Sequence, residues 1–118
     1  MNVLEISVLS PEAALRSFAE TWRLADAGSS GSSRLAFDSM RQLFSAITEK
    51  RLELLRYVAA HDGLNAHKLA VELGRDYKNV HTDVVELVAL GLLDRAQDGA
   101  LSSPFDEIVI HAGIRDAA

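Results

Sequence analysis

Three helical patterns follow one another between residues 48 and 95, and this succession constrains the fold more than any other feature of the sequence. Each pattern begins after a residue suited to capping a helix, and these residues are Thr48, Asn65 and Asp76. Gly74 and Gly91 are placed to end the second and third helices, because glycine adopts the left-handed conformation at little cost. A polar hairpin follows, with its turn at residues 97–99. This order of elements is typical of a winged helix-turn-helix.

The third pattern divides its side chains between an apolar and a polar face. The apolar positions recur at helical spacing and are Val80, Val84, Leu87 and Val88. The polar positions at the start of the helix are Lys78, Asn79, His81 and Thr82. A helix that reads the major groove of DNA needs this division, because one face packs on the protein and the other meets the bases. Double-stranded DNA is therefore the leading candidate ligand.

Long cations and hydrogen-bonding side chains at the start of the third helix are the predicted DNA contacts. Arg75 and Lys78 are long enough to reach a phosphate or a guanine. Asn79 can form two hydrogen bonds with adenine, and Thr82 can offer its hydroxyl or methyl group to a base. Each of these residues also has a structural interpretation that involves no DNA. Arg75 and Lys78 can be ordinary solvated surface charges, and Asn79 and Thr82 can form hydrogen bonds with the local backbone.

Three further residues complete the predicted DNA interface. Tyr77 can contact a phosphate through its hydroxyl, or it can pack against the second helix. His81 can contact a base or a phosphate, more strongly when protonated, or it can be a neutral surface histidine. Arg95 lies near the base of the hairpin, whose tip carries Asp98. Because an acidic tip repels phosphate, we expect the hairpin to contribute little to DNA binding.

The net charge of −5 argues against binding to nucleic acid through bulk electrostatics alone. The excess acid, however, lies outside the helical segment. Residues 34–95 carry nine basic and nine acidic side chains, whereas residues 1–33 carry two against four and residues 96–118 carry one against four. A local basic edge on a protein that is acidic overall is compatible with sequence-specific binding.

The first 33 residues are predicted to form an extension. Residues 1–9 alternate as a strand does, and residues 11–27 follow as a helix that Ser10 can cap. The helix carries an apolar stripe that must pack on the chain's own core or on another protein, and its main members are Leu15, Phe18 and Trp22. Residues 28–33 are all glycine or serine, so we expect a flexible joint that forms neither helix nor strand.

Residues 34–118 are predicted to form one DNA-binding domain. Leu35 and Phe37 indicate a short strand, and a helix through residues 40–47 follows it. Residues 105–110 are predicted to form a strand that can pair with the hairpin or with the N-terminal strand. The predicted fold class is mainly α with a small β-hairpin wing, which is a winged helix-turn-helix with an N-terminal strand-helix extension.

The first two of the three helices should each bury one apolar stripe. In the helix at residues 49–60, the stripe is predicted to contain Leu52, Leu55 and either Val58 or Ala59. In the helix at residues 66–73, the residues predicted to face the core are Leu69, Ala70 and Leu73. Together with the apolar face of the third helix, these stripes define the expected core.

The sequence offers little to a catalytic or metal site. The absence of cysteine excludes disulfides, thiol catalysis and cysteine-based zinc sites. The four histidines show no metal-ligand spacing on a helix face, and they are His61, His67, His81 and His111. No glycine-rich phosphate loop or nucleophile elbow is present. We therefore predict no enzymatic activity, no metal and no cofactor.

Membrane and export signals are not found in these 118 residues. No apolar run is long enough to cross a bilayer, and the N-terminus lacks the basic and then hydrophobic order of a signal peptide. The lack of cysteine is compatible with a reducing compartment. We therefore predict a cytoplasmic protein with no membrane partner.

Three segments resemble one family of regulators. They are Lys-Arg-Leu-Glu-Leu-Leu at residues 50–55, Leu-Gly-Arg-Asp-Tyr-Lys-Asn-Val-His at residues 73–81 and Phe-Asp-Glu-Ile-Val-Ile at residues 105–110. These runs are similar to those of predicted winged-helix regulators related to the MarR class, which are commonly encoded beside a small toxin of the TumE type. The resemblance extends over about residues 35–114. It implies an antitoxin that also represses its own operon.

Two functions of different classes follow from these features. The first is a sequence-specific transcriptional regulator that binds its own operator as a homodimer, because helix-turn-helix modules usually read two-fold sites. The second is an interaction module that neutralises or scaffolds a partner protein without binding DNA. Such a partner, for example a cognate toxin, would bind the N-terminal strand and the stripe of Leu15, Phe18 and Trp22. If both functions coexist, partner binding alters DNA affinity through linkage.

Overall fold

The structure, a computed structural model, describes residues 2–8 and 32–112, and this part of the chain contains five strands and four helices. In chain order they are β1 (Val3–Val8), β2 (Ser32–Phe37), α1 (Met40–Ala46), α2 (Glu49–Ala60), α3 (Ala66–Leu73), α4 (Tyr77–Ala89), β3 (Asp94–Arg95), β4 (Leu101–Ser102) and β5 (Glu107–His111). The chain divides into two compact units. One comprises Met1–Ser45 with Glu107–Ala118, and the other comprises Ala46–Asp106.

The first unit is built on a three-stranded parallel sheet with the order β2-β1-β5. The alternation read in the first residues is confirmed as β1, where Leu4 and Ile6 are 4% and 0% exposed. In register, Ile6 lies beside Leu35 of β2 and Ile110 of β5. Of the two partners predicted for the C-terminal strand, the N-terminal strand is therefore the one observed.

The predicted fold class is wrong, because the parallel sheet makes the architecture α/β and not mainly α with a hairpin wing. The N-terminal strand is the centre of a sheet and not part of an extension. Hydrophobic periodicity identified the strands at both ends of the chain, but it carries no information on which strands pair. The pairing of β1 with β5 joins Val3 to Glu107, a sequence separation that local patterns cannot bridge.

The glycine-serine run was expected to form neither helix nor strand, and for its last two residues this prediction is wrong. Ser32 and Ser33 belong to β2, where they pair with Val3 and Leu4. Backbone pairing along β1 outweighs the weak strand preference of serine, since strand propensity depends strongly on context. The predicted helix at residues 11–27, its stripe of Leu15, Phe18 and Trp22, and the rest of the run lie outside the described residues.

The second unit contains the three helices expected between residues 48 and 95, and all three predicted caps are confirmed. Thr48 Oγ1 accepts from the Arg51 backbone N–H at 3.2 Å. Asn65 Oδ1 accepts from the Lys68 N–H at 2.9 Å. Asp76 Oδ2 accepts from the Asn79 N–H at 3.3 Å. Each bond satisfies an amide that has no partner inside its own helix, so the helices begin where the sequence indicates.

Gly74 ends α3 with φ at 64°, in the left-handed region that glycine tolerates best. Its N–H donates to the Val71 carbonyl at 3.1 Å, and the Arg75 N–H donates to the Ala70 carbonyl at 3.0 Å. This pair of bonds is a Schellman motif. It turns the chain within three residues, so that α4 begins directly after the Asp76 cap.

The hairpin predicted after α4 is present as β3 and β4, with Asp94 paired to Ser102 and Arg95 paired to Leu101. Gly99 has φ at 89° in the turn, which is the conformation that an Asp-Gly turn supplies. Leu101 also donates its N–H to the Leu64 carbonyl at 2.9 Å. Strand β4 is thereby fixed to the loop between α2 and α3.

The second unit packs around aliphatic side chains that are almost completely buried. Those with 0% or 1% exposure are Leu54, Val58, Leu69, Val80, Val84, Leu87, Leu92, Leu93 and Leu101. In α2, Leu55 and Val58 are buried as predicted, and Val58 rather than Ala59 is the third member of the stripe. The prediction is wrong for Leu52, which is half-buried, and it missed Leu54 and Arg51, which are buried. Arg51 belongs to the inner side of α2 and forms ion pairs with Asp83 and Glu86 of α4.

Within the described residues, no helix is both long enough and apolar enough to cross a membrane.

Candidate functional site

The N-terminal part of α4 presents the polar residues singled out in the sequence. The exposed ones are Tyr77, Lys78, Asn79, His81 and Thr82. On the opposite side, Val80, Val84 and Leu87 are 0% exposed. The predicted division of α4 into an apolar and a polar face is therefore confirmed. Val88, which was assigned to the apolar face, is half-buried.

Arg75 is in the turn before α4, and its side chain points into the protein. Its Nη2 donates to Asp83 Oδ2 at 2.8 Å, and the side chain is only 19% exposed. Its Nη1 is buried and has no hydrogen-bond partner among the described residues. Any contact between Arg75 and a phosphate or a guanine would have to compete with the Asp83 ion pair.

Asp83 also accepts a hydrogen bond from a second arginine, Arg51 of α2. Arg51 Nε donates to Asp83 Oδ1 at 3.0 Å, so the carboxylate binds two guanidinium groups, one through each oxygen. Arg51 also donates through Nη2 to Glu86 Oε2 and through Nη1 to the Ala46 carbonyl, the latter at 3.0 Å. We call Arg51, Arg75, Asp83 and Glu86 the arginine-carboxylate cluster.

The cluster keeps Arg51 charged although the residue is only 7% exposed. Burial by itself would lower the pKa of Arg51, but hydrogen bonds and Coulombic attraction from Asp83 and Glu86 outweigh it and raise the pKa above its ordinary value. A buried cation is tolerated only when its donors are satisfied in this way. The cluster thus joins α2, the turn before α4, and α4 itself.

The cluster was not identified from the sequence, although two signals were present. Arg51 stands among the apolar residues of α2, and Asp83 directly precedes the buried Val84. A charged residue on the inner side of a helix indicates a buried partner. The identity of that partner was hidden, because Arg51 and Asp83 are 32 residues apart in the sequence.

Thr82 uses its hydroxyl within α4. Its Oγ1 donates to the Lys78 carbonyl at 3.0 Å, which is the hydrogen bond to the local backbone that was one of the two predicted alternatives. The Thr82 methyl group and the side chains of Lys78 and Asn79 remain exposed. Lys78 and Asn79 are therefore exposed polar side chains at the very start of α4.

A row of three rings joins α3 to α4. His67 of α3 stacks on Tyr77 with ring centroids 3.8 Å apart and planes 3° apart. Tyr77 is in turn 5.6 Å from His81, with the two rings tilted by 41°. Tyr77 therefore packs against the second helix while it remains 38% exposed. His67 was not among the predicted site residues, and only its place near the start of α3 could have suggested it.

The hairpin places Arg95 on β3, where the residue is exposed. Asp98, at the tip, is also exposed, and its Oδ1 accepts from the Ala100 N–H at 3.0 Å. The tip therefore carries a negative charge that the turn geometry holds in place. This is the arrangement for which weak phosphate contact is expected.

A metal site is not apparent in residues 2–8 and 32–112, where no group of three or more His, Asp or Glu side chains could hold an ion.

Comparison with known proteins gives one match. The family model HVO_A0114 matches residues 46–110, which span α2, α3, α4, the hairpin and most of β5. Neither a curated protein nor a solved structure matches the chain. The matched segment is more than half of the 118 residues and contains the whole candidate site. The chain belongs to the HVO_A0114 family.

Proposed function

We propose that this protein is a sequence-specific DNA-binding transcriptional regulator. One observation carries the proposal, namely that α4 exposes polar side chains at its N-terminal end while its opposite face is fully buried. A helix held in this way can enter a major groove without losing its own packing. The tight turn from α3 to α4 gives the two helices the connection that helix-turn-helix DNA readers use.

Lys78 and Asn79 are given the central roles in this proposal. Lys78 contacts a phosphate or a guanine, and Asn79 forms paired hydrogen bonds with an adenine. His81 and the methyl group of Thr82 are secondary base contacts, and the Tyr77 hydroxyl is a secondary phosphate contact. Arg75 holds the turn through Asp83.

The local charge supports selective binding rather than general attraction to nucleic acid. Residues 66–82 contain three basic residues, Lys68, Arg75 and Lys78, against the acidic Glu72 and Asp76. Arg75 is already neutralised by Asp83. Few phosphates are therefore neutralised on binding, and we expect a shallow dependence of affinity on salt concentration.

The resemblance to MarR-related regulators extends the proposal to an antitoxin that represses its own operon in the cytoplasm. In this extension the protein acts as a homodimer on a two-fold operator. The neighbouring toxin would bind the N-terminal region, including Leu15, Phe18 and Trp22. Binding of the toxin would then change operator affinity through linkage.

Fluorescence anisotropy tests the proposal directly. The full chain is titrated against labelled DNA from immediately upstream of its reading frame and against a scrambled DNA of equal length. We expect clear preference for the upstream DNA. We also expect Asn79→Ala to reduce affinity for that DNA by about tenfold, because one bidentate base contact contributes roughly 1–3 kcal/mol. The affinity of Asn79→Ala for the scrambled DNA should equal that of the wild type, so this second titration is the internal control.

Equal affinity for the two DNAs at low salt, from a folded protein, would contradict the proposal. The second candidate function would then be favoured, in which the protein binds a partner protein and not DNA. Its supporting observations are the net charge of −5 and the exposed Asp98 at the hairpin tip. Co-purification of the neighbouring gene product with the full chain, compared with a variant in which Leu15, Phe18 and Trp22 are replaced by alanine, tests that candidate.

A further inference from the structure

Strand β5 is at an edge of the parallel sheet. Its pairing partner is β1, and within residues 2–8 and 32–112 no strand pairs with its other side. An edge of this kind is a template for another strand, and proteins usually protect it with proline, lysine or a bulge. Residues 107–111 contain neither proline nor lysine, and Ile110 is 45% exposed.

We propose that β5 pairs with β5 of a second copy of this chain, antiparallel and across a two-fold axis centred on Val109. In this register Ile108 lies opposite Ile110 of the second copy, and Glu107 lies opposite His111 of the second copy. The two sheets then join into one six-stranded sheet. The sequence Glu-Ile-Val-Ile-His is self-complementary, because reversing it pairs apolar with apolar and acid with base.

The faces of the sheet agree with this register. A two-fold axis normal to the sheet keeps each face on the same side, so residues opposite each other must share a face. Ile108 and Ile110 share the face of Leu4 and Ile6, beside which they lie in register. The Ile108–Ile110 contacts therefore continue the buried apolar face from one copy to the other.

The opposite face of the sheet carries a row of polar side chains, and pairing with a second copy would continue this row. Glu5 Oε2 lies 3.6 Å from Arg34 Nε, and Glu5 Oε1 lies 3.4 Å from His111 Nε2. Both Glu107 and His111 are exposed. Pairing across Val109 places Glu107 of the second copy beside His111, so that the carboxylates alternate with Arg34 and with the hydrogen-bonding imidazole across the joined sheet.

Other pairings are worse. Moving the two-fold axis to Ile108 sets Glu107 against Val109 and Ile110 against Asp106, and moving it to Ile110 removes the Ile108–Ile110 and Glu107–His111 pairs. Pairing through β2, the other edge of the described sheet, would set two arginines against each other with the axis at Arg34, and would set Arg34 against Ala36 with the axis at Leu35. Like charges directly opposite destabilise a sheet. The β5 register centred on Val109 avoids both penalties.

Sedimentation equilibrium of the full chain without DNA tests this interface independently of the proposed function. We expect the wild type to dimerise, and we expect Glu107→Arg and His111→Asp each to raise the dimer dissociation constant by about tenfold. Mixing the two variants in equal amounts should restore dimers of wild-type affinity. In the mixed dimer the two introduced side chains, one from each variant, face each other with opposite charges, and the native Glu107–His111 pair forms on the other side of the axis.

A monomeric wild type would overturn the proposal. Variants that dimerise as well as the wild type, or a mixture that is no tighter than either variant alone, would also overturn it. If either variant fails to fold, hydrogen exchange of the wild type at several protein concentrations tests the same interface. Amide protection in residues 107–111 that rises with protein concentration supports the interface, and protection independent of concentration contradicts it.

Discussion

The two sides of α4 use their charged residues in opposite ways. On the side that faces α2, Asp83 binds both Arg51 and Arg75, and the three side chains are at most 19% exposed. On the other side, Lys78 and Asn79 are exposed at the start of the helix. Arg75 and Lys78 are three residues apart, yet Arg75 is bound to Asp83 of α4 and Lys78 is exposed to solvent. The role of each cation follows its burial and its partner, since Arg75 binds Asp83 whereas Lys78 is exposed.

Removing the centre of the cluster gives the largest expected effect. Asp83→Ala leaves two guanidinium groups without their shared carboxylate, and we expect a loss of about 3 kcal/mol in the free energy of unfolding. The measurement is urea unfolding followed by circular dichroism. Glu86→Ala is the matched control, because Glu86 is 53% exposed and should cost no more than about 1 kcal/mol. Equal losses in the two variants would show that the cluster does not hold α4.

A change in the turn that carries Arg75 gives the next largest effect. A Cβ atom at Gly74 would have no neighbour within 4 Å, so Gly74→Ala tests the backbone conformation alone. Because φ is 64° at this residue, we expect a loss of roughly 1–2 kcal/mol. Gly74→Asn is the control and should cost less, since asparagine tolerates this conformation better than alanine. Alanine and asparagine variants of equal stability would contradict the assigned role of the turn.

An exposed link between α2 and α3 contrasts with the buried cluster. Tyr57 Oη donates to Glu72 Oε2 at 2.6 Å. This hydrogen bond, with smaller effects from burial and from the charge of Glu72, raises the pKa of Tyr57 above its usual value of 10.0. Since the pKa is raised in the folded state, the stabilisation is complete below the unfolded pKa and is lost as pH rises through the folded pKa.

Ultraviolet titration of tyrosinate measures this shift. Tyr57→Phe leaves Tyr77 as the remaining tyrosine, so the difference between wild type and variant reports Tyr57 alone. We expect Tyr57 to titrate above pH 10.0. In Glu72→Gln we expect the upward shift of the Tyr57 pKa to become smaller but not to vanish, because an amide oxygen still accepts a hydrogen bond. A Tyr57 transition at or below pH 10.0 would show that the exposed link does not persist in solution.

The smallest effect is expected at Thr82. Its hydroxyl already donates to the Lys78 carbonyl, so Thr82→Ser, which keeps the hydroxyl and removes the methyl group, isolates any apolar base contact. We expect stability to change by less than about 0.5 kcal/mol. Operator affinity should fall less than it does in Asn79→Ala. A larger loss of affinity in Thr82→Ser than in Asn79→Ala would move the base-reading role from Asn79 to the Thr82 methyl group.

The helices, caps and hairpin could be predicted because each depends on residues close together in the sequence. Asn65 and Asp76 cap the helices they precede, and Gly74 and Gly99 adopt the positive φ angles that their turns require. The sheet could not be predicted in the same way. Strand β1 pairs with two strands that are distant in the sequence, and alternation alone does not identify a partner.

The candidate site shows the same limit at the level of single side chains. The exposure of Lys78 and Asn79 follows from helical periodicity, which also places Val80 and Val84 in the core. The inward orientation of Arg75 does not follow from it, because that orientation depends on Asp83 and, through Asp83, on Arg51 of another helix. The partner-binding stripe at Leu15, Phe18 and Trp22 lies outside the described residues and stays a prediction.

The central claim is that the exposed start of α4 meets DNA, and the salt dependence of operator affinity tests it most directly. Wild type, Lys78→Ala and the matched control Lys50→Ala, which removes the same charge from an exposed position of α2, are titrated by anisotropy across salt concentrations. We predict that Lys78→Ala reduces the slope of log affinity against log salt by about one and that Lys50→Ala leaves it unchanged. Identical slopes for the three proteins would contradict the claim.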